Sequence, residues 1–588
     1  MENKKTKIIS IASIIALALT LVSATFAYFM AQTGEGKSTD IKINANTVDT
    51  FTFETGSVLN LSLNQENFAS GKGNQTGTTF AKAMLTANNK TNTATEHYYL
   101  YLNISNNTFT YSIDNNTPEI LLSIKDGSNN EITTLTGLTY KTVTDGKGAS
   151  IKGFDITTKS GLITILNNRE ITTTSSKTEK WNVTVTFVNY NSNQAGNAGK
   201  NFTAKLMIQK EKILTLSEHV ISQYTGTQGD NALYYHKSTL TNGAGDNSYR
   251  YAGGDYVLTE AGKATGATMI IGYNNTVTTA LIDFYCNGTK QYVGYECSSS
   301  QTHYYLIKGD TTQYQTYNEA LNASVEKGYL TKDNVKNFVC FGSDATTCPT
   351  ENLYRIIGVF NNQVKLVKWD YAKSSLLGTD GDYSQEYTSN YFSGEQGESP
   401  SSNSLYYWNN DTQTNTWSES NLNKINLNTN FVNNIGTIWA KKIATTTWKV
   451  GGGSWSNIVT SVPKTAYQYE VGSSASTTTY DAKIGLMYVS DYYYSASPSA
   501  WTLVGNDSDA TKDYRFSKGE NWLYGGGWDW TISRNSGASD YASRVRHNGH
   551  VDYYYVNSHF GARPSFSLLS STTYVSGSGS MCDPIRIN

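Results

Sequence analysis

Strict alternation constrains this chain more than any other feature. Trp181, Val183, Val185 and Phe187 alternate with Asn182, Thr184 and Thr186. Tyr98, Leu100, Leu102 and Ile104 alternate with Tyr99, Tyr101 and Asn103, and Phe202, Ala204, Leu206 and Ile208 make a third run. A period of two buries one face of a strand and wets the other, so these runs predict antiparallel sheet. Asp126-Gly127, Asp145-Gly146 and residues 193–200 supply turn material between the strands. A two-sheet sandwich closes such a set, which places an all-β domain over 28–213.

The chain of 588 residues has room for about two to four domains with sizeable cores. Its net charge of −2 gives no basic field to attract phosphate backbones, so no nucleic-acid partner is expected. Only 16% of residues are charged, which leaves Asn, Thr, Ser, Gly and Tyr to build the surface. That composition suits an extracellular β-rich protein. Lys4, Lys5 and Lys7 precede an apolar run over 8–22, followed by Ser23, Ala24, Thr25 and Ala27. Residues 1–27 therefore read as a secretory signal. Cleavage after Ala27 leaves Tyr28 first, whereas an uncleaved segment is a membrane anchor, the one route to a membrane partner.

Five cysteines stand at 286, 297, 340, 348 and 582. Local pairing, Cys286 with Cys297 and Cys340 with Cys348, is the simplest arrangement in an oxidising compartment, with Cys582 left over. Zinc is the weaker alternative because neither pair has knuckle spacing, and free thiols are a third.

Residues 214–337 read as a linker and insertion, although their early part, Leu233-Tyr234-Tyr235-His236 and residues 246–251, already resembles the entry to the C-terminal domain. Within them Thr316 and Glu319 have capping-box spacing, and Tyr317, Leu321 and Val325 share one helical stripe that stops at Gly328. A domain over 338–588 follows. Its first apolar runs, 353–360 and 363–369, flank Asn361-Asn362 and predict a hairpin. Leu422 and Ile425 predict a helix within 418–431 behind a serine cap. Residues 485–492 predict a core strand that emerges into a Tyr-rich loop.

Two resemblances are carried by short motifs. The SATFAYF segment and Ser38-Thr39-Asp40-Ile41 are similar to TasA and camelysin-like secreted proteins, which implies a jelly-roll-like sandwich of the kind found in biofilm matrix. Gly561-Ala562-Arg563-Pro564-Ser565 and the closing Asp583-Pro584-Ile585-Arg586-Ile587 resemble bacterial C-type-lectin-like domains related to the formylglycine-generating-enzyme fold. That resemblance implies an α+β domain whose loops carry ligand contacts. In some relatives retroelements diversify those loops into Asn, Ser, Asp, Tyr and His, the mixture seen over 535–559; the plainer reading is a Tyr- and Asn-rich loop.

The fold class expected is thus multidomain, an all-β sandwich followed by an α+β lectin-like domain. Within 522–568, Trp522, Leu523, Val545, Val551, Val556, Phe566 and Leu568 are expected core. Trp530, Asn535, Tyr541, His547, His550, Tyr553, Tyr555, Asn557 and His559 are the expected ligand-binding set, because Tyr and Trp bring contact area and Asn adaptable hydrogen bonds. Asp380 with Asp382, and Asp507 with Asp509, read as solvated turns with too few ligands for calcium. Gly451–Gly453 and Gly525–Gly527 read as flexible turns. Metalloprotease, nucleophile-elbow and phosphate-loop motifs are all missing, and Cys582 lacks the second cysteine of a formylglycine-generating site, so no enzyme and no cofactor are expected. The expected function is a secreted or cell-surface protein that binds a surface protein or glycan. The alternative is a fibre-forming matrix protein that self-associates through its sandwich.

Overall fold

The computed structural model describes residues 49–588 apart from 64–72, 89–91, 272–278, 292–296, 299, 333, 390–400, 473–477, 507–519 and 548. The signal segment, the Ser38–Ile41 motif and the pair Asp507 and Asp509 lie outside the described residues. The chain divides into two compact units, Met1–Ile213 and Leu214–Asn588.

In the first unit one sheet runs Thr50–Thr55, Gln75–Thr86, Ser176–Phe187, Ile120–Asp126, Ser150–Asp155, Tyr140–Thr144. The other runs Leu59–Ser62, Asn201–Gln209, Ala94–Asn107, Gly161–Thr173. Leu100, Leu102 and Ile104 from the second sheet share one core with Val183, Val185 and Phe187 from the first. The alternating runs thus bury the faces their period predicts, with differences at Thr186, which is buried, and at Tyr101. Tyr101 is also buried, and its hydroxyl accepts the Ile213 N–H at 3.0 Å. The turn residues act through their carboxylates: Asp126 accepts the N–H groups of Ser128 and Asn130, and Asp145 those of Lys147 and Ala149.

The second unit holds a main sheet in the order Leu233–Tyr235, Tyr249–Tyr251, Leu353–Phe360, Gln363–Lys368, Pro564–Ser567, Gly485–Leu486, with Phe338–Cys340 also on Leu353–Phe360. Asn361 and Asn362 turn the central hairpin with φ of 49° and 62°, the left-handed pair that a two-residue hairpin loop requires. Residues 214–251 belong to this sheet and core, and are not a linker. Leu216, Val220, Leu233 and Tyr251 pack with Ile356, Leu366 and Phe566 because these short strands cannot bury their own faces alone. The insertion proper has its own core, in which Leu281 and Ile282 of the strand Ala280–Cys286 meet Tyr317, Ala320 and Leu321 of the helix Tyr317–Glu326. Both halves of the Thr316–Glu319 capping box form. Cys286 is bonded to Cys297 and Cys340 to Cys348, each with Cα atoms 5.8 Å apart. Two bridges fit an oxidising compartment. Among the described residues no helix is long and apolar enough to cross a membrane.

Two expected elements differ in kind. The helix Leu422–Phe431 is π-type, and its side chains repeat the wide spacing: Asn428 donates to the Asn423 carbonyl and Thr429 to that of Lys424, both five residues back. The expected strand over 485–492 pairs only at Gly485–Leu486, then becomes the helix Val489–Tyr494. Asp491 causes the change, because its carboxylate accepts the Tyr488 N–H at 3.0 Å and completes a capping box. The expected Tyr-rich loop is therefore helical at its start, with Tyr492, Tyr493 and Tyr494 all buried.

A closing strand, Arg586–Ile587, pairs with Tyr574–Ser576. Thr573 bridges Thr215 and donates its N–H to the Asn588 carbonyl. The first and last residues of this unit are therefore neighbours.

Candidate functional site

The site lies on the second sheet of Leu214–Asn588, ordered Tyr383–Ser389, Ser401–Tyr407, His559–Gly561, Asp529–Arg534, Tyr541–Val545, Val551–Tyr555. Val551–Tyr555 is the outermost strand. Its register sets Tyr541 opposite Tyr555, Ser543 opposite Tyr553 and Arg544 opposite Asp552. Alternation then sends Tyr554 to one face and its neighbours Tyr553 and Tyr555 to the other.

On the Tyr555 face, the rings of Tyr541 and Tyr555 lie 4.3 Å apart. Trp455 stands edge-on to Tyr541 at 5.2 Å and to Tyr553 at 5.3 Å. Trp455 comes from the helix Trp455–Ile458, whose capping box joins Ser454 and Asn457. It is 45% exposed and Tyr555 47%, a large apolar area left in water. On the opposite face the Arg544 guanidinium lies 3.8 Å from the Tyr554 ring centre, fixed there by Asp552 at 2.7 and 3.1 Å.

Beside the helix that carries Trp455, whose Ile458 contributes to the wall, lies a small pocket lined also by Tyr469, Glu470, Tyr493, Ser533, Ser543 and Tyr553, with room for about one water molecule. Glu470 is buried there. One of its oxygens accepts the Val489 N–H and the Ser533 hydroxyl, and the other accepts the Ser490 N–H at 3.0 Å. Burial pushes its carboxyl up to about 7, against the pull of those donors. The Tyr553 hydroxyl donates to the Gly453 carbonyl, and the Tyr469 hydroxyl accepts from Asn457 at 2.8 Å.

The structure divides the residues predicted to bind ligand. Tyr541, Tyr555, Asn557 and His559 reach the surface. His559 sits edge-on to Tyr407 at 5.6 Å, and partial burial lowers its pKa. Trp530, Asn535, His547, His550 and Tyr553 are buried. Trp530 donates to the Tyr406 carbonyl and packs 4.7 Å from Phe560; it is core. Asn535 accepts the Gly537 N–H with its side chain and shapes the turn. The His547 carbonyl accepts the Tyr524 hydroxyl, and the His550 carbonyl accepts the Arg546 N–H. The physical reason, for asparagine, is that its side chain satisfies buried backbone as readily as it meets water. Asn415 shows it directly, donating to the carbonyls of Asn535, Ala538 and Tyr541.

Other expected features also change. Asp382 is buried, not solvated: it accepts the N–H groups of Asn410 and Leu422, and burial raises its pKa. No cluster of three metal-ligating side chains occurs among the described residues. Gly451–Gly453 is a packed segment, not a flexible turn. Gly451 and Gly453 accept the N–H groups of Arg534 and Ser536, and a Cβ on Gly452 would collide with the Arg534 carbonyl. Arg563 is structural, buried against Asp529 at 2.6 Å. Sequence reasoning missed Trp455 and Glu470. A tryptophan one serine after a glycine run was the available signal for the first, and none marked the second. Comparison of the chain with family models, curated proteins and solved structures gives no match.

Proposed function

We propose that the protein acts outside the cell or at its surface and binds a surface protein or glycan through the aromatic edge formed by Trp455, Tyr541 and Tyr555. The observation that carries this reading is exposure: Trp455, Val459, Tyr554 and Tyr555 are four of the eight large apolar residues exposed among those described, and three of the four stand on or beside one outer strand. Rigid aromatic rings in water cost solvation unless a partner covers them. Tyr and Trp also lose little rotamer entropy when they do bind. The two disulfides support an extracellular setting. The motif resemblances add a lectin-like scaffold for this unit and a TasA-like sandwich for the other.

The test is a glycan and surface-protein array probed with the full chain and with the double variant Trp455→Ala/Tyr555→Ala. Its hits should vanish in the variant while the melting transition stays within a degree or two, since both rings are about half exposed. Hits that survive in the variant refute this placement. Self-assembly is the second reading, favoured by Thr50–Thr55, which pairs along one side only among the described residues. Ordered filaments of purified protein in electron micrographs, formed without ligand, would decide for it.

A further inference from the structure

Resting on the aromatic-edge reading, we infer that the pocket beside the Trp455–Ile458 helix receives the ammonium end of a lysine side chain presented by a protein ligand. Three observations carry the inference. Glu470, 2% exposed, is part of the pocket lining, its carboxyl held by two backbone N–H donors and a serine hydroxyl. Tyr493 and Tyr553 line the same space, and aromatic side chains beside a carboxylate suit a cation. No Lys or Arg lines the pocket, so the acid there faces no positive partner within it.

The surrounding groups agree. Asp491 is a second acid in range, and Tyr488, Tyr493 and Tyr553 are phenols whose pKa values Glu470 helps raise. Lys365 also feels Glu470, but its ammonium is held 2.6 Å from Asp491. A carboxyl pushed up to about 7 is partly neutral at physiological pH, and an entering cation would ionise it. Width selects the chemistry. Space for about one water admits the tip of an unbranched amine and excludes a pyranose ring, so an amino sugar fits poorly.

The test is calorimetric titration of the full chain with Nα-acetyl-lysine methylamide, its Nε-acetyl derivative, and glucosamine. The lysine amide should bind saturably, the Nε-acetyl form and glucosamine at least tenfold more weakly. Affinity should rise between pH 5.5 and 8 as about one proton leaves the pocket on binding. Glu470→Gln should lower affinity at least tenfold and abolish that pH dependence; should this variant unfold, Trp455→Ala, on the helix whose Ile458 lines the pocket, should weaken binding severalfold. Absence of saturable binding by the wild type, equal binding of the Nε-acetyl form or glucosamine, or unchanged affinity in a folded Glu470→Gln overturns the inference. If the array hits of the aromatic edge persist while the lysine amide fails, the pocket reading falls and the edge reading stands.

Discussion

Breaking the Asp529–Arg563 pair from its two sides should have unequal cost. The ions meet at 2.6 Å with side chains 1% and 2% exposed. Burial still pushes the Asp529 carboxyl up to about 6, so desolvation outweighs the attraction of Arg563. Asp529→Leu strands a guanidinium that cannot shed its charge, with the Tyr371 ring 5.7 Å away as a weak substitute partner. The expected loss is about 3–5 kcal/mol at pH 5, because Arg563 keeps its charge while its acidic partner is gone. Arg563→Met strands a carboxyl that can take up a proton, so about 1–3 kcal/mol is expected at pH 5 and more at pH 8. The sign follows from linkage. A carboxyl whose folded pKa is raised contributes stability below its unfolded pKa, near 4, and loses it as pH rises through the folded value. Asp529→Leu/Arg563→Met together should recover most of the loss, because two apolar groups leave no buried charge. Urea unfolding followed by tryptophan fluorescence is the assay, since ten of the eleven tryptophans lie in 214–588. Equal losses for the two single variants at pH 5, or a double variant as unstable as the sum of both, would refute the reasoning.

Glu470 should make the same unit lose stability as pH rises from about 4.5 to 7, by an amount on the order of 3 kcal/mol, and Glu470→Gln should flatten that slope in urea midpoints taken at pH 5 and 8. Removing the Cys340–Cys348 bridge with two alanines should cost about 2–3 kcal/mol, and non-reducing peptide maps of the wild type should show both bridged pairs. Tyr553→Ala should lower the melting temperature by several degrees, because the ring is 4% exposed, whereas Tyr555→Ala should barely move it. Asn361→Val should cost about 1–2 kcal/mol, measured by urea midpoint, since a β-branched residue resists the left-handed turn that Asn361-Asn362 makes.

Features fixed by near neighbours were legible in the sequence. The alternating runs, the Asn361-Asn362 hairpin, the Thr316–Glu319 box and the two bridges each depend on residues within about a dozen positions. What failed depended on distant partners. Asn415 and Asn535 read as surface by composition, yet each bonds a turn from inside. Leu233–Tyr235 and Tyr249–Tyr251 already resemble the entry to the C-terminal domain, but their sheet was not legible, because the strand that completes it, Leu353–Phe360, comes about a hundred residues later. The 485–492 run read as strand because its apolar residues are real core, and only the Asp491 cap turns them helical. Of the residues that form the aromatic edge, Tyr541 and Tyr555 were named from the sequence, whereas Trp455 arrives from a helix about ninety positions before them.

The meeting of Thr215, Thr573 and Asn588 makes the second unit topologically a cassette. A short linker could join its ends and new termini could be opened at an exposed turn, such as the one after Ser536, without crossing the core. Such a permuted chain would keep every sheet register while moving the point of attachment relative to the aromatic edge. Entry and exit at one locus also mean that the whole unit could be spliced into a loop of another protein as one insert. Orientation on a surface is then a property of the attachment point, separable from the fold that carries the rings.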